Sequence, residues 1–318
     1  MSLGRVAPSR RFDFRETVAR SALRLSASRS PPEVARVTVV VKIGGARAVD
    51  PAGAVTDVAH LTVNDEDVVV VHGGSTAVDD ALEMVGKEPE YVETPSGVTG
   101  RFTDAETMDV FEMAMGKVNT DLVAAFENAG VPAVGLNGVD GKLLSGPRKS
   151  AVRVVEDGKK KIKRGEHSGR IESVNTDLLE AQLDAGYVPV VSVPMLGEDG
   201  DDLVPVNADA DRAAAAVAGA LDATLVVLTD VEGVYEDPDD PDSLIEEVLT
   251  PGDLDGVKDA AEGFMTKKVM AATEALAGGA EEVVVADANS RDPIVRALSG
   301  AGTHFSPDAL ADGDGEAA

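Results

Sequence analysis

An α/β fold built on a largely parallel sheet is what this chain predicts, and three observations predict it. Short runs rich in β-branched residues (Val37 to Ile43, Val68 to Val71, Thr224 to Leu228, Glu282 to Ala286) are apolar without alternation, the pattern of strands buried on both faces of a sheet. Segments of helical length and periodicity separate these runs. Two of the strands end in glycine pairs, Gly44-Gly45 and Gly73-Gly74, each of which leads into a helix. In open α/β sheets, ligands gather outside the carboxyl ends of the strands, where glycine lets an anion approach backbone N–H donors. With 318 residues there is chain enough for one large α/β domain or two lobes.

Composition narrows the partners. The chain has 57 Asp and Glu against 29 Lys and Arg, a formal net charge of -28. That field repels nucleic acid and anionic membranes wherever basic residues are not locally concentrated, and suits a protein kept soluble in concentrated salt. There is no cysteine, which excludes disulfides, thiol catalysis and thiolate metal sites. No apolar run approaches the roughly 20 residues of a membrane span, so a soluble, cytoplasmic protein is expected.

Residues 1–36 do not match the rest. They hold eight arginines against Asp13, Glu16 and Glu33, and Pro31-Pro32 separates them from the first strand. A disordered or untranslated upstream segment is expected, with a transit peptide or a regulatory helix built on Phe12, Phe14, Val18 and Leu23 as alternatives.

From Val37 onward the elements follow in order. The first strand carries Lys42 into Gly44-Gly45, residues 52–64 read as a helix, and the second strand closes in His72-Gly73-Gly74-Ser75. Two such junctions in succession point to adjacent anion-binding loops at one sheet edge. Arg101, which can fork onto a carboxylate, precedes Thr103-Asp104, an N-cap for a helix over 105–128. Val131 to Leu136 reads as a third strand.

Positive charge then appears against the trend of the composition. Arg148, Lys149, Arg153, Lys159, Lys160, Lys161, Lys163 and Arg164 fall within seventeen residues, opposed only by Glu156 and Asp157. Val152 to Val155 and Lys161 to Lys163, around Asp157-Gly158, read as a β-hairpin. In a chain so poor in lysine, a docking surface explains them better than an ordinary solvated hairpin. The hairpin lacks the interleaved aromatics of a nucleic-acid site.

Asn175 to Asp177 opens another helix, and Tyr187 to Val193 is a core strand. The acidic turns around Gly197 and Gly200 mark a lobe boundary, giving lobes over 37–197 and 198–305. Asn207 and Asp209 precede an alanine-rich helix from Asp211 to Leu221 and point polar groups at the sheet edge. The fifth strand closes in Thr229-Asp230-Val231-Glu232-Gly233-Val234-Tyr235. Gly263 and Met265 introduce a helix that places Lys268 near its amino terminus, where the helix dipole disfavours a cation and a bound anion would explain it. The acidic tail from Ser306 is expected to be disordered.

Taken in order, K-I-G-G at 42, H-G-G-S at 72, G-R-F-T-D at 100, N-A-D at 207, L-T-D-V-E-G-V-Y at 228 and G-x-M-x-x-K at 263 resemble the amino acid kinase family over residues 37–305. Within that family the motifs are nearest to acetylglutamate kinases and to the kinases that phosphorylate glutamate or 2-aminoadipate attached to the carrier protein LysW. The resemblance implies a three-layer α/β/α sandwich around a mainly parallel sheet, with an acceptor-binding amino-terminal lobe and an ATP-binding carboxyl-terminal lobe. It implies transfer of the γ-phosphoryl group of ATP to a side-chain carboxylate, with magnesium carried in by ATP and no metal held by a protein cluster.

Roles follow residue by residue. Lys42 and Lys268 would stabilise the two sides of the transferring phosphoryl group, and Asp209 would orient both lysines. Gly44, Gly45 and Gly73 would donate backbone N–H groups. Gly73, Gly74, Ser75, Arg101 and Asn207 would hold the acceptor; Thr229, Asp230, Gly233, Tyr235 and Met265 would line the nucleotide pocket. Acetylglutamate kinases commonly have a further asparagine two residues before N-A-D, and here that position is Pro205. This departure and the basic stretch 148–164 favour an acidic carrier protein, LysW, as the bearer of the substrate. Free N-acetylglutamate is the alternative acceptor, and a non-catalytic amino acid or nucleotide sensor is the alternative of another class. The resemblance also implies a homodimer or larger homo-oligomer, with the helix over 105–128 able to pair across a two-fold axis.

Overall fold

The computed structural model describes residues 37–310 except positions 47–48, 96, 157 and 262. The arginine-rich extension 1–36, Asp157 of the expected hairpin turn and the tail 311–318 lie outside the described residues.

The strands in chain order are β1 Thr38–Ile43, β2 Asp67–His72, β3 Tyr91–Glu93, β4 Thr99–Arg101, β5 Ala133–Gly138, β6 Leu144–Glu156, β7 Lys159–Gly169, β8 Ser173–Val174, β9 Val188–Asp199, β10 Asp202–Val206, β11 Thr224–Thr229, β12 Val234–Tyr235, β13 Leu244–Ile245, β14 Glu247–Val248, β15 Glu282–Asp287 and β16 Thr303–Phe305. The α-helices are α1 Ala52–Val63, α2 Ser75–Met84, α3 Ala105–Asn128, α4 Thr176–Asp184, α5 Ala210–Ala220, α6 Pro251–Ala260, α7 Phe264–Ala277 and α8 Pro293–Leu298. The central sheet runs β14-β16-β15-β11-β1-β2-β9-β6-β7, with β5 and β10 also paired to β9 and β8 to β6. Its middle, β15-β11-β1-β2-β9, is parallel throughout. The carboxyl ends of β11, β1 and β2 therefore lie side by side, and the polar turn after Thr229 joins the two glycine pairs at one edge.

Residue alternation in β1 and β2 divides the core into two layers and decides which way each functional side chain points. Val39, Val41 and Ile43, with Val68 and Val70, pack with α1, α8 and Phe126 of α3. Val40, Val69 and Val71 pack on the other face, against the alanines of α5 and α7. Lys42 lies two residues beyond Val40 and so projects toward α5 and α7. His72 lies two residues beyond Val70 and projects the opposite way.

The expected boundary near residue 197 falls within β9, on an antiparallel hairpin that pairs Leu196 with Pro205, and the described residues from Val37 onward cluster as one compact unit. The disorder expected from Ser306 is corrected over its first residues. Ser306 N–H donates to Val248 O, and Pro307–Leu310 forms a 3-10 turn that buries Ala309. Among the described residues, no helix is long and apolar enough to cross a membrane.

Helix α8 is held to α1 by a cap from outside its own segment. The buried Asp57 of α1 accepts hydrogen bonds from Ile294 N at 2.7 Å and Val295 N at 3.2 Å. These satisfy amide donors that the first turn of a helix leaves unpaired. Replacing Asp57 with alanine is expected to lower unfolding stability by about 1–3 kcal/mol, since two buried donors lose their acceptor. Chemical denaturation checks this, and an unchanged midpoint would show that solvent satisfies both amides.

Candidate active site

Three side chains brought in by three different elements meet at the carboxyl end of β1. The Nζ of Lys42 lies 2.6 Å from Asp211 Oδ1, and the Nζ of Lys268 lies 3.4 Å from Asp211 Oδ2. Lys42 and Asp211 are buried, and only 12% of the Lys268 side chain is exposed. The packing that permits this is encoded by small residues. Ala213, Ala214 and Ala218 of α5 and Ala271, Ala272 and Ala275 of α7 are buried in the layer that joins the two helices to the sheet. At their far ends the helices come close enough that a methyl group on Gly219 would fall 2.9 Å from the Gly278 backbone. Asp211 meets Lys268 near the two starts and Gly219 meets Gly278 at the two ends, so α5 and α7 run side by side in one direction.

The electrostatics of the trio follow from its burial. Burial alone would push the Asp211 carboxyl up, but the ammonium groups of Lys42 and Lys268 overturn that and hold it at about 2. Burial, reinforced by the charge of Lys42, pushes Lys268 below the ordinary lysine range. One carboxylate between two ammonium groups leaves one unit of positive charge in excess at a buried point of a strongly acidic protein. An anion entering beside the trio would neutralise that excess.

The bridging acid expected from the sequence is Asp209, and the geometry corrects this to Asp211. Asp209 is the N-cap of α5, and its Oδ1 accepts from Asp211 N at 2.9 Å and Arg212 N at 3.3 Å. Its other oxygen lies 3.9 Å from Lys267. A capping carboxylate faces the helix axis, whereas an acid in the first turn projects sideways onto the neighbouring helix. With Asp211 as the bridging residue, the asparagine four positions ahead of it is Asn207, which is present.

The two glycine loops pack backbone against backbone. A methyl group on Gly45 would fall 2.2 Å from Gly74 N, and one on Gly74 would fall 2.6 Å from Met115 Sδ. Gly73 N–H donates to Ile43 O, and Thr76 N–H donates to Gly45 O. The side chain of Ser75 donates to the same Gly45 carbonyl at 3.4 Å. Gly44 packs against Val49 and the Leu228 carbonyl.

Arg101 is anchored at the edge of this loop. Its Nη2 donates to Ser75 O at 3.0 Å and Asp79 Oδ1 at 2.7 Å, and the Tyr91 hydroxyl lies 2.9 Å away. Its buried Nε has no hydrogen-bond partner among the described residues. The Asn207 amide donates to Thr103 Oγ1 at 2.9 Å, and its backbone bonds His167 O and Gly169 N of β7. Nearby, burial pushes the Glu166 carboxyl up to about 7.

Of the residues expected to line a nucleotide pocket, Thr229 ends β11 and Asp230 follows it, and the Thr229 hydroxyl donates to Asp230 Oδ1 at 3.1 Å. Gly233 is required by packing, because a methyl group there would fall 2.5 Å from Thr303 Oγ1. Tyr235 lies on β12, with its hydroxyl 3.3 Å from Glu232. Met265 packs on the α5–α7 side of the core.

The basic hairpin is longer than its sequence signal, extending over β6 and β7, and its two faces differ. Val152 and Val154 point inward onto Val92 and Phe102, and Lys163 on that face lies 4.1 Å from the Phe102 ring centroid. Lys161, Lys163 and Arg148 pair with Glu156, Glu90 and Asp199. The register places Arg153 opposite Ile162, Val155 opposite Lys160 and Ala151 opposite Arg164. These six share the outer face, so Arg153, Lys160 and Arg164 surround Ile162, which is 64% exposed. Among the described residues those three cations make no ion pair. Lys149 and Lys159 are also exposed.

The family model described as "Amino acid kinase family" matches residues 37–287. LysW-aminoadipate kinase of Deinococcus radiodurans is 43% identical over 267 residues, covering 83% of this chain and 90% of that protein. The protein of the same name from Thermus thermophilus is 39% identical, over 83% of this chain and 98% of its own length. Acetylglutamate kinase of Methanopyrus kandleri is 42% identical, over 77% of this chain and 93% of that one. Among solved structures, N-acetylglutamate synthase from Neisseria gonorrhoeae aligns with a TM-score of 0.64 at 26% identity. That alignment covers 85% of this chain, which spans 59% of the longer synthase. Carbamate kinase from Giardia lamblia aligns with a TM-score of 0.60 at 16% identity, covering 86% of this chain and 99% of that one, a likeness of fold.

Exchanging each aspartate for asparagine separates the bridge from the cap. Asp209→Asn keeps a capping acceptor and is expected to change stability by less than about 0.5 kcal/mol. Asp211→Asn leaves two buried ammonium groups without a counter-charge and should cost about 3–5 kcal/mol at pH 7. Because the folded-state pKa of Asp211 is depressed from 3.8 to about 2, its contribution is complete above the upper value and is lost as pH falls toward the lower. Denaturation midpoints over that range check both statements, and equal effects of the two substitutions would contradict them.

Proposed function

This chain belongs to the amino acid kinase family, and from that premise we propose that it moves the γ-phosphoryl group of ATP onto the side-chain carboxylate of glutamate or 2-aminoadipate borne by the acidic carrier protein LysW. The product is an acyl phosphate. The observation that carries the reading is the sharing of Asp211 by Lys42 and Lys268. Donor and acceptor are both anionic, so the protein's task is to hold them in line and to neutralise charge as it spreads over the transferring group. Lys42, beside the glycine loops, serves the acceptor side, and Lys268, on the helix that follows Gly263, serves the leaving side. Asp211 keeps both ammonium groups in place, and the excess positive charge of the trio is matched to the transferring phosphoryl group rather than to a neutral ligand.

Arg101, whose buried Nε has no partner among the described residues, and Asn207 face the acceptor side beside Gly73, Gly74 and Ser75. Thr229, Asp230, Gly233, Tyr235 and Met265, with Gly44 and Gly45, serve the nucleotide. Among the described residues no group of three or more His, Asp or Glu converges as a ligand set. In this reading magnesium travels with the phosphates of ATP.

The carrier docks on the outer face of the β6–β7 hairpin. Arg153, Lys160 and Arg164 supply clustered positive charge that makes no ion pair among the described residues, and Ile162 supplies a contact that salt does not screen. The foot of the hairpin bonds directly to Thr103 and Asn207, so docking delivers the tethered side chain to the acceptor end. Relatives of this chain at 43% and 39% identity are named for the carrier-borne substrate. An acidic surface adapted to concentrated salt, a cytoplasmic location and a homodimer through α3, where Met113 is exposed, belong to the same reading. A second reading, N-acetylglutamate as acceptor, is favoured by Asn207, which stands four positions ahead of the bridging acid, where the acetylglutamate kinases carry their further asparagine.

Purified protein incubated with ATP and each acceptor, with the acyl phosphate trapped by hydroxylamine, tests this directly. Carrier-linked substrate should be preferred over free N-acetylglutamate by about a hundredfold or more in kcat/KM. Reversing the charges of Arg153, Lys160 and Arg164 to glutamate should raise KM for the carrier-linked substrate about tenfold or more and leave KM for ATP unchanged. The opposite acceptor preference would establish the second reading.

A further inference from the structure

His72 ends β2 next to the reacting groups, yet it points to the opposite side of the sheet from Lys42 and cannot touch the transferring group. Its ring is fully buried. The Nδ1 lies 3.0 Å from Gly73 O, and the Nε2 lies 3.1 Å from Asn119 Nδ2. Asn119 Nδ2 also donates to Val190 O at 2.8 Å, which fixes the amide orientation because a carbonyl can only accept. The amide therefore donates to Nε2, and Nδ1 carries the proton that it donates to Gly73 O. Burial and the neighbouring charge of Lys42 push the ring down to about 4, so it is neutral near pH 7 and one tautomer satisfies every contact.

What the ring holds is the peptide between Gly73 and Gly74. In a trans peptide the C=O and N–H point in opposite directions, so fixing the Gly73 carbonyl on the His72 side turns the Gly74 N–H away from it. Gly74 is buried, and among the described residues its N–H has no hydrogen-bond partner. A side chain on Gly45 would fall 2.2 Å from that nitrogen, so only glycine at 45 leaves room beside it. Glycine on both sides of a peptide also makes it the easiest kind to rotate, and an external clamp is needed to hold it. Val190 of β9, Asn119 of α3 and His72 of β2 form that clamp.

We propose that His72, set by Asn119, is a positioning residue for phosphoryl transfer, and that it acts by locking the Gly73–Gly74 peptide so that the Gly74 N–H is presented to the transferring phosphoryl group. The role rests on the phosphoryl-transfer reading of the site. It predicts a loss in turnover rather than in nucleotide binding, because the donor is aimed at charge that develops during transfer.

Two substitutions separate the two ring nitrogens. His72→Asn places an amide N–H where Nδ1 stands and keeps the donor to Gly73 O while abandoning Asn119. His72→Gln places its amide where Nε2 stands, keeps a partner for Asn119 and removes the donor to Gly73 O. The first variant should keep kcat within about tenfold of wild type, and the second should lose about a hundredfold or more, with KM for ATP within about threefold in both. A merely structural role would lower both in proportion to their unfolding midpoints. Equal losses, or a loss confined to KM, would overturn the proposal. The acceptor used is whichever one the wild-type enzyme turns over, so a wrong choice of acceptor shows in the wild type alone and leaves the comparison of variants intact. If either variant fails to fold, the side-chain 15N spectrum of the wild-type protein decides, since with four histidines in the chain the resonances can be assigned. A proton on Nδ1 is expected for His72, and a proton on Nε2 would overturn the proposal, because Gly73 O would then receive nothing.

Discussion

The carboxylate shared by Lys42 and Lys268 sets a distance that a strand and two helices must all respect. A buried acid with one cation is an ordinary pair; with two, it is a site that is incomplete without an anion. Everything that brings the three groups together is visible in the residues behind them. Alternation along β1 sends Lys42 to the α5–α7 layer, and alanines let those helices approach each other and the sheet. Had either helix carried bulky residues at the contact, Asp211 could not have reached both lysines.

The same constraint explains why glycine is confined to particular turns. Gly45 and Gly74 touch through their backbones, so the loops after β1 and β2 form one surface rather than two. In the proposed reaction the lysines supply charge from one side of that surface and the loop amides supply directed donors from the other. His72, on the far side of the sheet, takes no part in the charge balance. In the proposed role it keeps the donors pointing one way.

The fold is largely legible in the residues because its core strands are unalternating apolar runs and its helices carry local signals. Helix α3 can be placed at its start from Asp104, whose side chain accepts from Thr107 N, and at its end from the glycine that follows Ala129. Short elements are harder to see. Helix α6 escapes the sequence reading although Thr250 and Asp253 form a capping box with a proline at its start, and α8 is too short to show a period. The edge strand β14 and its neighbour β16 have two and three residues, and only pairing defines them.

In the site, the lysines and glycines can be found from their positions at strand and helix ends, but the choice between Asp209 and Asp211 cannot be made from spacing alone. The local rule that decides it is that a cap spends its carboxylate on the helix, leaving the next acid for the neighbour. The partnership of His72 with Asn119 spans 47 positions and has no sequence signal. The hairpin's split into a paired inner face and an unpaired outer one likewise depends on tertiary partners, Glu90 and Asp199, that lie far away in the chain.

If two cations on one carboxylate stabilise the phosphoryl group in transit, replacing Lys268 with methionine, which keeps the length of the side chain and removes its charge, should weaken a mimic of that state more than it weakens the nucleotide. The measurement is the affinity of wild type and Lys268→Met for ADP alone and for ADP with a planar metal-fluoride mimic of the transferring group. ADP affinity should stay within about threefold, while affinity for the mimic falls about a hundredfold or more. An equal loss for both ligands, or none for either, would contradict the assignment of Lys268 to the transferring charge.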